Sequence, residues 1–448
     1  MSGLRPVPWA ASPAAMPGQT AAAAPWLLWN AWRRGKYRRG WCEKLFGLVQ
    51  LRDGDEPCVW LHAVSVGEVN LVAPLIAEIR RRRPGWRIVV TSTTDAGLEL
   101  ARTKYPDVSA SYAPLDFSWA VRRALRRIRP SLMALVELEL WPNLIAAADR
   151  EGVPVAVVNG RLSERSFRGY RRLRPLVRRM LARVAVAAVQ NDEYRGRFVE
   201  LGLAPERAVV TGSLKFDGAV FERDNPRTAR LAERSGLGPE DVVFVAGSTQ
   251  VGEERIALET FRRLAGEFPR LRLILVPRHP DRFDEAASLC RRAGFPFLRR
   301  TALDEAPRDA APPWRVLLVD TVGELGAWWG TAHVAFVGGS FGDRGGQNMI
   351  EPAAYGAAVC FGPNTRNFRD VVGMLSAADA AETVGDPEAL VEFVRRCLRD
   401  SRRAATLGAN ARRLVRSHQG AAAKTFALLE PLVERSIGAA DDPSLKAA

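Results

Sequence analysis

Acidic residues recur where a short apolar run gives way to a helical pattern. In HAVSVGEV (62–69) Gly67 permits a tight turn and Glu68 opens the following helix. A carboxylate there is favoured by the helix dipole, which is the plain reading. The chemical reading makes Glu68 a general base at a strand end. In VELELWPN (136–143) Glu137 and Glu139 stand two apart, on one side of the chain if the strand continues. One of them reads equally well as a salt-bridge partner. In TGSLKFD (211–217) Lys215 lies just past a strand beside small residues. It is either a solvent-exposed lysine or a cation that reaches an anionic group.

The second half has a different set. VAGSTQVGEE (245–254) presents Gly247, Ser248 and Thr249 between a strand and a helix, where backbone N–H groups can cradle a phosphate. It is not a Walker loop, because GxxxxGK[ST] is absent. In VPRHPDRF (276–283) Arg278 can grip phosphate bidentately, and His279 sits in a turn fixed by two prolines. DTVGEL (320–325) ends a further strand. FVGGSFGDRGGQNMIEPAAYG (336–356) joins a glycine-rich loop to Glu351 at a helix entry, a carboxylate placed to take a pair of sugar hydroxyls.

These segments need elements to hold them. Apolar runs at 58–64, 87–93, 131–137, 153–159, 184–190 and 208–212 read as strands, with helices over 68–82 and 95–104 between the first of them. Residues 218–240 lack a strand and carry Pro226, Gly236 and Gly238, which marks a domain boundary. The alternation restarts at 242–248, 271–277, 314–320, 333–340 and 357–363. Strands that are apolar throughout and alternate with helices imply parallel sheets covered on both faces. The expectation is an α/β protein with two doubly wound domains in tandem, whose ligands bind beyond the carboxyl ends of the strands, facing an interdomain cleft. A tail over 1–40, a first domain over 41–220 and a second over 221–448 follow.

With 47% apolar and 26% charged residues in 448, the composition is that of a globular protein, not a disordered or fibrous one. The longest apolar run near the start, Ala21–Trp29, holds nine residues with Pro25 inside it, whereas a membrane-spanning helix needs roughly 20. Five scattered cysteines, no CxxC and four histidines argue against a disulfide scaffold or a Cys/His zinc site and favour a reducing compartment. Basic residues exceed acidic ones by 34 to 20 through residue 220, but only by 31 to 30 beyond it. This concentration of charge points to an anionic partner for the first half, with nucleic acid, an acidic membrane surface and a phosphorylated substrate all open. The absence of a zinc finger, an RNP-like strand or a basic zipper lowers the nucleic-acid reading. Residues 1–20 read as disordered. Trp26, Trp29 and Trp32, followed by Arg33, Arg34, Lys36, Arg38 and Arg39, read either as an interfacial anchor or as a frayed terminus.

SVGE, ELWPN, GSLKFD, GST, PRHP and GGxNxxEPA, in this order and spacing over roughly residues 38–430, resemble 3-deoxy-D-manno-octulosonic acid (Kdo) transferases. The resemblance implies a GT-B fold, a CMP-Kdo donor, a lipid A precursor as acceptor, inversion at the anomeric carbon, and no cofactor or essential bound metal. It makes Glu68 the catalytic base, with Glu139 and Lys215 supporting the transition state. It places Ser248, Pro277, Arg278, Val322, Gly323, Glu324, Asn348, Met349, Ile350 and Glu351 in the CMP site. It also implies a peripheral or monotopic protein on the anionic cytoplasmic face of the inner membrane, with no nucleic-acid partner. Gln347 stands where the family commonly has His, and Leu138 where it commonly has Thr. Two other readings share some of these features: a GT-B enzyme using a UDP-sugar, and a non-enzymatic module for anionic surfaces. The second explains the basic first half but not the strand-end acids.

Overall fold

The computed structural model describes residues 39–305 and 313–441. It divides into two units. The first runs through Gly218 and takes in the chain again from Gln419; the second is Ala219–His418.

The first unit is built on a seven-stranded, all-parallel sheet: β1 (Cys58–His62), β2 (Arg87–Ser92), β3 (Ser109–Tyr112), β4 (Leu132–Val136), β5 (Val155–Gly160), β6 (Val184–Val189) and β7 (Ala208–Val210). Its spatial order is β3-β2-β1-β4-β5-β6-β7. Side chains alternate between its faces. Cys58 and Trp60 join the core on one face, with Met133, Leu135 and Val157. Val59, Leu61 and Ala63 join the other, with Leu132, Ala134 and Val158. Burial on both faces is why these strands lack polar alternation.

The helix expected over 68–82 is two helices, Val66–Leu71 and Ala73–Arg82, which meet at Val72 with Pro74 at the start of the second. The helix Ala421–Asp441 also lies on this unit. Phe426, Leu429 and Val433 complete the core of the second face, and Arg83 pairs with Glu430 at 2.7 Å. The expected domain limits are corrected accordingly: the break falls at 218/219, and the last helix belongs to the first unit. Asp217 makes the connection, because its carboxylate accepts from the backbone N–H groups of Gly420 and Ala422 where that helix starts.

The second unit carries its own seven-stranded parallel sheet: β8 (Val242–Thr249), β9 (Leu271–Pro277), β10 (Phe297–Arg299), β11 (Val316–Leu318), β12 (Val334–Val337), β13 (Ala358–Phe361) and β14 (Ala381–Thr383), in the order β10-β11-β9-β8-β12-β13-β14. Both sheets reverse direction of winding beside their first strand, between β1 and β4 and between β8 and β12. At such a switch point the loops leave the carboxyl ends on opposite sides and open a crevice.

Candidate active site

In the first unit the switch-point loops hold the paired acids. Ser65 caps the helix Val66–Leu71, its hydroxyl accepting from Glu68 N at 3.4 Å. The same hydroxyl donates to Glu68 Oε1 at 2.9 Å, and Val64 N–H donates to Oε2 at 2.9 Å. This is a variant of the capping box, in which a Ser and the Glu three residues later satisfy each other. Ser92 and Thr93 hold the loop from β2 by donating to the Val64 carbonyl at 3.3 and 2.8 Å. Glu68 is thus fixed in direction and 9% exposed. Its pKa is pushed up to about 8, first by burial, then by the negative charge of Glu139 and more weakly of Glu137. A base with that affinity for a proton is poised near neutral pH.

The β4 loop supplies the neighbouring charges. Glu137 has φ of 59°, a left-handed conformation that a non-glycine residue rarely adopts. Glu139 accepts from Trp141 Nε1 at 2.9 Å, and burial raises its pKa despite that bond. The following helix, Pro142–Arg150, is anchored by Asp116, which accepts from the backbone N–H groups of Asn143 (3.0 Å) and Leu144 (2.8 Å). Burial raises the phenol pKa of Tyr170, and the charge of Glu139 adds to it. Lys215 is half-buried in a loop drawn to the end of β5, where Asn159 Oδ1 accepts from Leu214 N–H at 2.9 Å. Asn159 is itself left-handed, at φ 54°.

In the second unit the loops after β8 and β12 are stapled by a residue that no motif singled out. Glu253 is buried, and its carboxylate accepts four backbone N–H groups: Gln250 (2.8 Å), Gly339 (2.6 Å), Ser340 (2.9 Å) and Phe341 (2.9 Å). The approach is close enough to require glycine. A Cβ on Gly338 would lie 2.7 Å from Ser248 O, and one on Gly247 2.4 Å from the Trp329 ring. Ser248 has φ 55°. Of five non-glycine residues with positive φ among the described residues, Glu137, Asn159 and Ser248 all lie at carboxyl ends of strands, a strained conformation of the kind that clusters at ligand sites. The N–H of Gln250 and those of the Gly339–Phe341 turn are committed to Glu253, so these four are not left for a phosphate. Glu254 is also buried and takes Arg282 at 3.0 Å and the Thr249 hydroxyl at 3.2 Å.

The remaining expected residues differ in what they present. Arg278 is exposed just past β9, and its N–H is bound to Thr249 O at 3.0 Å, so it stands beside Ser248. Pro277 is buried and pairs with Thr249. Val322 is 77% exposed next to Gly323, which has φ 87°. The Glu324 carboxylate is held by Arg300 at 2.8 and 2.9 Å and by the Thr321 hydroxyl at 2.8 Å, so it shapes the loop. Asn348 accepts from Ile350 N–H and donates to Glu351 Oε1 at 2.9 Å, orienting that carboxylate. Met349 and Ile350 are buried, the Ile350 N–H is taken by Asn348 Oδ1 and the Met349 carbonyl accepts from Ala353 N–H, so both hold the loop rather than face a ligand. Among the described residues no group of three or more His, Cys, Asp or Glu is placed to hold a metal ion.

Two parallel doubly wound sheets in one chain, each with functional groups at its switch point, define a two-domain α/β protein of the GT-B type. A UDP-GlcNAc 2-epimerase from Neisseria meningitidis, solved with UDP-GlcNAc, shares this architecture at TM-score 0.58 and 12% identity, over 84% of this chain and all of that one. Residues 36–218 match the 3-deoxy-D-manno-octulosonic-acid transferase (kdotransferase) family. A Haemophilus influenzae 3-deoxy-D-manno-octulosonic acid transferase is 32% identical over 85% of this chain and 88% of its own length. The Bordetella pertussis transferase is 36% identical over 83% and 86%. The chain belongs to the Kdo transferase family and is a glycosyltransferase.

Proposed function

We propose that this chain moves Kdo from CMP-Kdo to a lipid A precursor with inversion, releasing CMP. The observation that carries this reading is Glu68, a buried carboxylate with two hydrogen-bond donors among the described residues and a raised pKa beside Glu139. The acceptor hydroxyl gives its proton to Glu68 as its oxygen bonds to the anomeric carbon. The bond from that carbon to the CMP phosphate breaks, and its electron pair leaves on the phosphate oxygen. Cations that meet such developing charge lower the barrier most when fixed in advance; Lys215 and Arg278 have this role. Glu351, oriented by Asn348, takes the ribose hydroxyls. The first unit binds the acceptor and the second the CMP-sugar.

The acceptor is an anionic lipid, so the first unit works at a membrane surface as a peripheral or monotopic protein on the cytoplasmic face of the inner membrane. Among the described residues no helix is long and apolar enough to cross a membrane. The Trp26–Arg39 anchor expected from the sequence lies, but for Arg39, outside the described residues. The basic runs are not equivalent. Arg80–Arg83 are paired with Asp107, Glu78, Glu430 and Glu434. Arg165, Arg172, Arg174, Arg178 and Arg179, on the helices Glu164–Arg172 and Arg174–Leu181, are exposed. Those five are the residues that face the lipid, and binding to anionic vesicles that falls as salt rises measures the effect.

The test of the activity is incubation with CMP-Kdo and a tetraacyl lipid A precursor, with mass spectrometry of the lipid. A Kdo-bearing product and free CMP are expected. Turnover of a UDP-sugar without any Kdo adduct would overturn the reading.

A further inference from the structure

Among the described residues one indole N–H orients Glu139, and that indole is itself seated on an unusual histidine. His62 closes β1, is fully buried, and has an imidazole pKa lowered to about 4 by burial alone, so the ring is neutral. Its Nδ1 lies 3.0 Å from the Thr91 hydroxyl, and that hydroxyl already accepts from Trp60 Nε1 at 2.8 Å. A hydroxyl has one proton to give. If Thr91 gives it to Nδ1, the imidazole proton sits on Nε2. In the opposite tautomer the Thr91 proton and the Nε2 lone pair would both be stranded in the core. The first arrangement leaves one group over, the Nε2–H, and Nε2 has no hydrogen-bond partner among the described residues. The Trp141 ring stands beside the imidazole, perpendicular to it at 87° with centroids 5.2 Å apart.

We propose that His62 is a positioning residue of the transfer reaction: its Nε2–H points into the π face of Trp141 and holds the indole so that Nε1–H stays on Glu139. Such N–H···π contacts are weak individually. Here the contact completes a relay, Trp60–Thr91–His62–Trp141–Glu139, that begins in the core and ends beside the base. The relay sets where the Glu139 charge stands relative to Glu68. All five residues belong to the first unit, so the relay governs the chemical step and leaves donor binding alone. The inference rests on Glu68 and Glu139 acting in transfer as set out above.

The experiment has two arms. In the first, histidine is ¹⁵N-labelled in the full chain; the protein has four histidines, so substitution assigns the signals. His62 should show a protonated Nε2 whose slowly exchanging proton is shifted upfield by the indole, and Trp141→Leu should abolish that shift. In the second, His62→Gln, which sets an amide N–H near the Nε2 position, is compared with His62→Asn, whose amide reaches only the Nδ1 position. The Gln variant should keep kcat close to wild type, while the Asn variant loses about three- to tenfold in kcat with the KM for CMP-Kdo unchanged. Equal melting temperatures for the two variants separate positioning from folding. An Nδ1–H tautomer, an unshifted Nε2 proton, equal losses in both variants, or a loss carried by KM would each overturn the proposal. The first arm needs no turnover, so a failure of the assigned reaction is seen separately, as activity retained by a Glu68 variant.

Discussion

Glu68 and Glu253 occupy matching places in the two units. Each follows the first strand of its sheet, stands at the switch point, lies at the start of a helix and is buried. Their surroundings differ. Glu253 accepts four backbone N–H groups from two loops, enough to satisfy a carboxylate without any cation. Glu68 accepts one backbone N–H and one hydroxyl, and two further acids raise its proton affinity. Saturating a carboxylate turns it into a structural clamp. Leaving it half-satisfied beside like charges raises its proton affinity, as the proposed base requires.

The sharpest way to break this comparison is to neutralise each acid. Glu68→Gln keeps the size of the side chain but cannot take a proton, and kcat should fall by about 10²–10⁴-fold. CMP affinity, measured by calorimetry, should stay as in wild type. Activity within threefold of wild type would end the assignment. Glu253→Ala should act through stability instead. It strands four N–H groups, two of them fully buried, at about 1–3 kcal/mol for each that water cannot reach. A loss of at least about 3 kcal/mol in urea unfolding is expected, with CMP binding weakened. An unfolding curve matching wild type would show that the clamp is dispensable.

Glu351→Ala probes the second unit without touching the clamp. Charge-assisted bonds to ribose hydroxyls are worth about 1.5–3 kcal/mol, so the Kd for CMP should rise about ten- to a hundredfold while kcat at saturating donor changes little. Unchanged affinity by calorimetry would remove Glu351 from the nucleotide site. The smallest effect concerns pH. The Glu68 carboxyl titrates near pH 4.5 when unfolded and near 8 when folded. The folded state therefore holds its proton more tightly, and ionisation costs stability as pH rises through that window. Glu68→Gln should melt at nearly the wild-type temperature at pH 5 and a few degrees higher at pH 8. A gain that is the same at both values would show that the raised pKa is not a property of the fold.

Much of this architecture was readable as pattern. Eleven of the fourteen strands coincide with apolar runs. The three that do not, Ser109–Tyr112, Phe297–Arg299 and Ala381–Thr383, are all sheet edges. An edge strand is short and half-covered, so SASY, FLR and AET carry no apolar run to detect. The docking of Ala421–Asp441 on the first unit was equally invisible, because an amphipathic helix records that one face is buried but not against what.

The site divides along the same line. Glu68, Glu139, Lys215, Ser248, Arg278 and Glu351 sit at strand ends and helix starts, and residue type at such places is a local property that the chain writes out in order. His62, Asn159, Asp116 and Glu253 act through partners 29, 55, 27 and 86 positions away. Nothing adjacent to them in the chain announces those partners. The amino-acid order determined two wound sheets and the chemistry at their carboxyl ends, since both follow from hydrophobic periodicity and turn residues. Only the tertiary structure decided which carboxylate is saturated and which is left partly satisfied, because that depends on how many N–H groups distant loops bring to each one.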